Sequence, residues 1–395
     1  MTAATITAIT EAKADVAGAH DRMTGAILTD SPDISRFESE WERLFAVPGH
    51  EPSASYEWTQ ALLRHRLVPD DRFYLVRIAR GSETLALVPL VTRSMRLFGC
   101  RVRALFPVSD LRNTHSDLLA RSLDEATVGT LLATLLELPA RWDVFRMSNV
   151  LESSPLVGCL ASAARDRRFA SLARDAHASY FLELPDSYEH YLAARSSKFR
   201  NYLRRVERKV TAETGVRVSE LSAVDEVGSG YEMLLEIERA SWKHAHGTAI
   251  STTPQGIAFH RDLCHGAAAR GRLHLQVMTI DGRPAAYNLG YVRDSTYSYL
   301  KTSFVEALKP LGVATYLRAR LIRSLIERGL RVLDFPAAPH EWERQWTETV
   351  RWHKKLTVYR PTAPGIGLAI AQRLRHGTPR ERLIRHLETR SRAPR

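Results

Sequence analysis

The chain has 395 residues, of which 44% are hydrophobic and 25% are charged, and its formal net charge is +12. This length exceeds the size at which a single hydrophobic core stops growing, so it predicts two domains. No apolar run approaches the about 18 residues that a membrane helix needs, which argues against a transmembrane protein. The three cysteines are far apart, which argues against a disulfide framework and fits a reducing, cytoplasmic location.

The positive charge is concentrated in two segments. Residues 195–210 and residues 371–395 each carry a net charge of +6, so together they equal the excess of the whole chain. Basic stripes attract phosphates, whether these belong to a coenzyme, RNA or an anionic membrane. A solvated helix face and an Arg-rich tail would give the same pattern, and the sequence leaves both interpretations open.

The first half of the chain alternates between helical and strand periodicity. Two period-2 runs around a Gly-containing turn predict a β-hairpin, and leucines at helical spacing predict a later helix. In chain order the predicted elements are helices at 33–45 and 56–66, strands at 73–80, 84–92 and 101–106, a polar loop at 109–117, a helix at 124–138 and a strand at 142–148.

The same order returns about two hundred residues later. An Asp-Gly turn and a second turn predict a three-stranded antiparallel meander, and an apolar stripe ended by Gly329 predicts a helix after it. The predicted elements are strands at 273–280, 284–292 and 296–304, a helix at 313–328, a strand at 330–335, a helix near 341–349 and a strand at 353–360. A basic amphipathic helix at 188–211 bridges the halves, with Ser196 or Ser197 as its cap.

Three short stretches carry a resemblance to a known family: SKFRNYLRR at 197–205, ERASWK at 238–243 and PLG at 310–312. Together with the element order, they resemble the BioF2-like, or cellulose-biosynthesis-associated (CelD/BcsL-type), GNAT acetyltransferases, a family related to the Fem-type peptidoglycan aminoacyltransferases. The resemblance covers about residues 35–360. It implies two GNAT-like domains, acyl-CoA or aminoacyl-tRNA as donor, and an amine or hydroxyl acceptor.

The expected fold class is therefore mixed α/β, with tandem GNAT-like domains whose mostly antiparallel sheets are flanked by helices. The expected organisation is a disordered N-terminal tail at 1–32, a degenerate GNAT-like domain at 33–185, the basic bridge at 186–215, a donor-binding GNAT domain at 216–362 and an Arg-rich tail at 363–395. The protein is expected to be an acyltransferase.

The donor site is expected at the start of the helix at 313–328. The family resemblance implies that backbone N–H groups in this turn hold the pyrophosphate of the acyl donor. A helix N-terminus suits an anion because its first amides are unpaired and its dipole is positive there. The matching residues are Leu311, Gly312, Val313, Ala314 and Thr315, although one glycine before a helix is also an ordinary cap.

Acyl transfer to an amine needs a base and a group that steadies the developing oxyanion. Asp334 follows a strand, and His340 follows it in a loop where a histidine would titrate near neutral pH. Period-2 alternation places Tyr297, Tyr299 and Lys301 on one face of their strand, with Ser298, Leu300 and Thr302 on the other. The catalytic candidates are Asp334, Tyr299, Lys301 and His340.

Acceptor contacts are expected from two polar segments. Trp242 and Lys243 follow a helix in a loop that should face the cleft between the halves, and His115 and Asp117 lie in the polar loop of the first half. Packing is the alternative role for Trp242, and solvation is the alternative for the polar loop. No metal is expected, because His244 and His246 lack further ligands at metal-binding spacing.

One segment departs from the family pattern. Asp334, Phe335 and Trp346 match it, whereas Glu343 stands where a lysine is expected and Ala338 where a glycine is expected.

Three hypotheses about function follow. The first is transfer of an acetyl or other acyl group from acyl-CoA to a small molecule, a sugar or a polysaccharide precursor. The second is an aminoacyl-tRNA-dependent transferase whose basic bridge contacts tRNA. The third is a catalytically retired scaffold that docks on a membrane or a polysaccharide synthase through its Arg-rich C-terminus.

Overall fold

The computed structural model describes residues 22–111, 115–335 and 340–376. The described strands form one 13-stranded sheet in the order β1-β2-β3-β4-β6-β13-β7-β12-β11-β10-β9-β8, with β5 paired to β3. The strands are β1 Met23–Thr29, β2 Arg72–Arg80, β3 Glu83–Leu97, β4 Cys100–Pro107, β5 Leu119–Ala120, β6 Val144–Leu151, β7 Ala170–Glu183, β8 Arg217–Leu221, β9 Leu273–Ile280, β10 Arg283–Arg293, β11 Thr296–Phe304, β12 Val332–Asp334 and β13 Val350–Tyr359.

Helices cover both faces of this sheet. The α-helices are α1 Glu38–Phe45, α2 Tyr56–His65, α3 Glu125–Leu136, α4 Pro155–Asp166, α5 Tyr188–Ala193, α6 Ser197–Thr211, α7 Val224–Arg239, α8 Trp242–Ala245, α9 Pro254–Ala269, α10 Val313–Glu327 and α11 Ala363–His376. None of these described helices is both long enough and apolar enough to cross a bilayer.

The repeated order of hairpin, strand, helix and strand is present in both halves. Most of these elements lie close to their predicted bounds, namely β2, β4, α3 and β6 of the first half and β9, β10, β11, α10 and β12 of the second. Strand β3 runs to Leu97, five residues beyond its predicted end. The predicted bridge is two helices, α5 and α6, and Ser196 caps α6 by accepting from the Phe199 amide at 3.2 Å.

The tail predicted at 1–32 is wrong for residues 23–29. These residues form β1, which pairs antiparallel with β2 at the edge of the sheet. The inner face of β1 carries Met23, Gly25 and Ile27, and because a glycine separates the two large side chains, the sequence gives only a weak strand signal. Residues 1–21 lie outside the described part of the chain, as do residues 377–395 of the Arg-rich segment.

Strand β13 lies between two strands of the first half. It pairs antiparallel with β6 on one side and with β7 on the other, although it follows every other strand in the chain. In turn, the end of β7 pairs with β12 through Phe181, Leu182 and Glu183. Each half therefore contributes a strand to its neighbour, and the domain boundaries expected from the sequence stay a prediction.

One hydrophobic cluster joins the halves on a single face of the sheet. It combines α1 and α2 with α7 and α9, and Trp58 meets Phe259 edge to face with ring centroids 6.2 Å apart. Buried Glu57 accepts a hydrogen bond from the Tyr291 hydroxyl at 2.7 Å and pairs with Arg272 at 3.2 Å. Because a buried charge needs such partners, this contact orders the two halves relative to each other.

A β-bulge interrupts β11. Against β10, Tyr299 is opposite Gly290 and Lys301 is opposite Leu289, so Leu300 is the extra residue. A bulge shifts the alternation of side chains. The predicted shared face of Tyr297, Tyr299 and Lys301 is therefore wrong for Lys301. Instead the Tyr299 and Thr302 hydroxyls both donate to Asn288 Oδ1.

Candidate functional site

The sheet opens between β11 and β12. These strands pair in parallel only from Thr296 with Val332 to Ser298 with Asp334. Beyond these pairs β11 continues to Phe304 and is paired only with β10, on its other edge. Past the last pair, Tyr299 stacks on Phe335 with ring centroids 5.9 Å apart, and Trp342 packs against both rings. The opening is thus lined by aromatic side chains and by the unpaired edge of a strand.

Helix α10 begins beside this opening. Its first residue follows Gly312, whose φ of 79° lies in the left-handed region that glycine adopts without strain. No side chain caps the helix, and its first turn contains no acidic residue. The Tyr316 amide makes the first bond to Gly312 O at 3.0 Å, so the preceding amides have no partner inside the helix. This N-terminus is suited to an anion.

Helix α6 covers one side of the Gly312 turn. A Cβ added at Gly312 would lie 3.1 Å from both methyl carbons of Val206, so only glycine fits here. Tyr202 and Thr315 share a hydrogen bond between their hydroxyls at 3.3 Å, and Lys209 Nζ donates to Pro310 O at 3.3 Å. Among the predicted donor residues, Val313 is buried and the other four are half-buried. The turn is therefore partly covered and carries a nearby cation.

Two lysines lie on the other side of β11. Lys243 Nζ donates to Thr302 O, and Lys301 Nζ donates to Thr248 O at 3.3 Å. Burial, followed by the charge of Lys301, lowers the pKa of Lys243 to about 8. Trp242, predicted beside Lys243 as an acceptor contact, is 44% exposed and packs edge to face on His246.

His340 stands at the rim of the opening. It is exposed, and its ring stacks parallel on Trp342 with centroids 6.2 Å apart. Partial burial lowers the pKa of His340, and the charges of Lys243 and Lys301 lower it further. The imidazole is therefore neutral at pH 7 and able to accept a proton.

Glu343 and Arg318 lie directly behind His340. Glu343 Oε2 accepts the His340 amide at 3.0 Å, and burial raises the pKa of Glu343 to about 7. The Arg318 guanidinium is 3.8 Å from the Trp342 ring centroid and 5.4 Å from that of Trp346. Within the described residues, Arg318 Nε and Glu343 Oε1 are buried without a hydrogen-bond partner. A buried polar atom without a hydrogen-bond partner indicates a functional role or a position where ordered water binds.

A second polar group lies at the junction of the halves. Asp334 Oδ2 pairs with Arg351 from β13, and His115 Nε2 is 3.4 Å from the same oxygen. Burial raises the pKa of Asp334 to about 6, against the opposing effect of Arg351. The fold therefore brings together two predicted site residues, Asp334 and His115, that are far apart in the chain.

Hydrogen bonds fix the tautomers of two histidines at this junction. His353 Nδ1 contacts His177 O at 3.2 Å and must donate, because a carbonyl oxygen only accepts. Burial lowers the pKa of His353 to about 3, so its Nε2 is bare and accepts from His115 Nδ1 at 2.8 Å. Burial likewise lowers the pKa of His115 to about 4. Its bare Nε2 then accepts from Arg351 at 3.3 Å.

The junction also contains ligand types that a metal uses. Glu51, His115 and Asp334 present ligand atoms that all lie within 4.8 Å of one another. The Arg351 guanidinium already supplies positive charge at Asp334, which disfavours a cation there. Asp117 lies in the same loop as His115, where burial raises its pKa to about 6 and the Ser154 hydroxyl donates to it at 2.8 Å. The expectation of no metal stays a prediction.

The predicted site residues thus fall into two neighbouring groups. The Tyr299, Lys301, Lys243 and His340 group surrounds the strand opening, and the His115 and Asp334 group lies at the junction. Sequence reasoning missed Arg318, Arg351 and His353 as site components. It noted Glu343 only as a departure from the family pattern. That departure was the one sequence signal that Glu343 could belong to the site.

Part of the chain matches a known family of proteins. Residues 197–344 match the family described as Acetyltransferase (GNAT) domain. The matched segment begins at α6 and ends ten residues after β12, so it contains the opening and the Gly312 turn. In a search of curated proteins, no sequence matches the chain.

Solved structures share the fold at low identity. The crystal structure of FemX is 9% identical, with 84% of this chain and 98% of that chain covered and a TM-score of 0.58. A conserved protein of unknown function from Bacteroides thetaiotaomicron VPI-5482 is 10% identical, with 82% and 97% covered and a TM-score of 0.51. These likenesses concern the fold alone. Together with the strand order, they confirm the predicted tandem GNAT-like architecture, while the CelD/BcsL-type subgroup stays a prediction.

Proposed function

We propose that the protein is an N-acyltransferase that moves an acyl group from acyl-CoA to the amine of an acceptor bound at the β11/β12 opening. The observation that carries this proposal is the uncapped N-terminus of α10 beside a strand opening, with a neutral histidine at its rim. A helix N-terminus binds a phosphate-bearing donor, and a neutral histidine accepts a proton. The acyl group is acetyl in the simplest case, and a hydroxyl acceptor is the variant of the same chemistry.

The donor supplies a thioester, whose carbonyl carbon is the electrophile. In our proposal the free amides of Val313, Ala314 and Thr315 hold its pyrophosphate, and Lys209 adds a positive charge near the turn. The edge of β11 beyond Ser298 offers unpaired backbone groups to the extended arm of the donor. Apart from the Lys209 side chain, these donor contacts are backbone groups. They therefore depend on the conformation of the turn at Gly312 and not on a long sequence motif.

His340 is the proposed proton acceptor. The new C–N bond forms as the C–S bond breaks, the amine proton passes to His340, and the thiolate leaves. Partial burial lowers the pKa of the imidazole, and the charges of Lys243 and Lys301 lower it further, so the ring is neutral at pH 7. Glu343 positions His340 through the hydrogen bond that it accepts from the His340 backbone amide. Tyr299 lines the opening beside Trp342.

In the same proposal, the junction group supports the acceptor side. Asp334 is held by Arg351, and this pair fixes the end of β12, six residues before His340. His115, Asp117 and Trp242 are the proposed contacts for a small-molecule or saccharide acceptor, including a polysaccharide precursor. Asp334 then acts as a positioning residue, and proton transfer stays with His340.

The direct experiment is mass spectrometry of products. The full chain is incubated with acetyl-CoA and a library of amines, amino sugars and hydroxyl compounds, and product masses are compared with those from the His340→Gln variant. A mass increase of one acetyl group that depends on His340 supports the proposal. If acyl-CoA binds but no product forms with any acceptor, the chain is a retired scaffold and the proposal is wrong.

A second candidate function is an aminoacyl-tRNA-dependent transferase. The exposed face of α6 favours it, because Lys198, Arg205, Arg208 and Lys209 all face solvent. Binding that depends on phosphate contacts weakens steeply with salt. A gel shift with tRNA across a salt series therefore separates the candidates, since an absence of binding at low salt removes the second.

A further inference from the structure

A groove lies on the outer face of the helices, between α5, α6 and α10. Its volume is 370 Å³, which is within the about 300–1,000 Å³ range of small-molecule pockets. Leu192, Leu203, Val206 and Ala319 form its apolar floor, and Tyr188 and Tyr316 add aromatic rings. It is therefore larger than an inorganic ion needs and has surfaces for a flat ring.

Four arginines line this groove: Arg200, Arg204, Arg320 and Arg323. Glu207 is the one carboxylate in the lining, so the groove has a clear positive excess. For Arg320, no ion pair exists within residues 22–111, 115–335 and 340–376. The carboxylates of Glu189 and Glu327 lie 3.8 Å and 3.9 Å from Arg323 and are highly exposed, so these pairs are weak and exchangeable.

Neutral groups also contact three of the four arginines and hold them in place. Arg200 donates to Arg195 O at 2.5 Å, and Arg204 donates to Asn201 Oδ1 at 2.6 Å. The Arg323 guanidinium lies 4.8 Å from the Tyr188 ring centroid. A fixed guanidinium keeps its charge and its other N–H donors for a bidentate contact with phosphate.

The groove is separate from the β11/β12 opening. Tyr316, Ala319, Arg320 and Arg323 follow the outer face of α10, whereas Arg318 projects from another face toward Trp342 and Trp346. Helix α10 thus lies between the two places. A ligand in the groove leaves the opening free.

We propose that this groove binds a nucleotide, with its phosphates between the arginines and its base against Tyr188 and the apolar floor. A nucleotide combines negative charge with a planar ring. The arginines of the groove suit the charge, and its tyrosines and apolar carbons suit the ring. This inference goes beyond the proposed acyl transfer and does not depend on it.

Calorimetric titration of the full chain tests the proposal, with ADP, pyrophosphate and adenosine as probes. We expect ADP to bind more tightly than either part alone. Because a hydrogen bond to a charged group contributes about 1.5–3 kcal/mol, Arg320→Ala should weaken ADP binding by roughly tenfold or more. Arg208→Ala is the matched control, since Arg208 is exposed on α6 and does not line the groove.

A further variant separates the groove from the Gly312 turn, which is also suited to phosphate. Ala314→Glu places a negative charge at the turn and should leave ADP binding in the groove unchanged. The titrations are therefore repeated in the Ala314→Glu chain. The proposal is overturned if ADP does not bind this chain, if pyrophosphate binds it as tightly as ADP, or if adding Arg208→Ala weakens ADP binding as much as adding Arg320→Ala does. A clear preference for a short RNA over ADP would also overturn it.

Discussion

Helices α3 and α10 occupy equivalent places in the two halves, but they begin in opposite ways. Helix α3 starts with Asp124, whose carboxylate accepts the Thr127 amide at 2.7 Å, and Glu125 follows in its first turn. Helix α10 starts at Gly312 without a side-chain cap or an acidic residue. A capped, acidic N-terminus repels a phosphate, whereas an uncapped one attracts it.

The two halves also differ at the place where their parallel strands separate. In the first half, β4 and β6 pair in parallel only at Ala104 with Val144 and Leu105 with Phe145. Polar side chains of the following loop occupy this region, and Ser109 and Ser116 share a hydrogen bond there at 3.0 Å. In the second half, the rings of Tyr299, Phe335 and Trp342 follow the last parallel pair instead. The same architecture thus carries polar side chains at this place in one half and aromatic side chains in the other, which teaches that fold repetition does not repeat chemistry.

The largest expected effect is on catalysis in the second half. His340→Gln should lower kcat by about 10²–10⁴-fold, because the proton acceptor is lost. Steady-state kinetics with the acceptor found by mass spectrometry measures this. His244→Gln is the matched control, since His244 is an exposed neighbour on α8. Equal rates in His340→Gln and the wild type would assign the base to another group.

The ion pair of Asp334 and Arg351 at the junction should be the next most sensitive feature. Arg351→Met leaves the buried Asp334 carboxylate unpaired, which costs about 3–5 kcal/mol of unfolding free energy. Chemical denaturation measures the change. The double variant with Asp334→Asn should recover a large part of the loss. A double variant as unstable as the single one would show that Arg351 acts through packing alone.

A charge placed at the start of α10 should affect donor binding. Ala314→Glu should weaken acetyl-CoA binding by about five- to tenfold, corresponding to roughly 1 kcal/mol of dipole and charge interaction. Calorimetry gives the dissociation constant, and the melting temperature reports whether the fold is intact. An unchanged affinity would place the donor away from this turn.

The mirror experiment in the first half should leave donor binding unchanged. Asp124→Ala removes the cap of α3 and should cost about 1 kcal/mol of stability. Acetyl-CoA affinity should equal that of the wild type. Any change in affinity would mean that the first half takes part in donor binding, contrary to the comparison of the two helices.

The smallest effect is a shift in pH dependence. The proton acceptor must be neutral, so the rate falls as pH drops through the lowered pKa of His340, below 6.5. Lys243→Met removes one of the positive charges that lower this pKa, so the acidic limb should move to higher pH. NMR titration of the imidazole measures the same pKa without turnover. A limb that moves to lower pH would contradict the assigned role of Lys243.

The sequence predicts the local elements well where the signals are local. The Asp-Gly turn after β9, the cap Ser196 and the apolar stripe of α10 each act within a few residues, and their elements form where expected. The bulge at Leu300 escapes prediction because it depends on pairing with β10. Strand β1 has Gly25 between its two inward hydrophobic side chains, Met23 and Ile27, and therefore gives only a weak pattern.

The site was predictable only in part, for a similar reason. The Gly312 turn and His340 are identifiable because they adjoin a strand and a helix in the chain. The contact of His115 with Arg351 joins residues more than two hundred positions apart and depends on where β13 inserts. Periodicity contains no information about which strands become neighbours. Arg351 and His353 therefore appear in the sequence as ordinary strand residues.

The placement of β13 also determines when the protein can fold. During synthesis the ribosome releases the first half long before residues 350–359 exist, so β6 and β7 face a gap that another strand must fill. An unpaired strand edge of this kind recruits foreign strands. Neither half is therefore expected to be stable when expressed by itself.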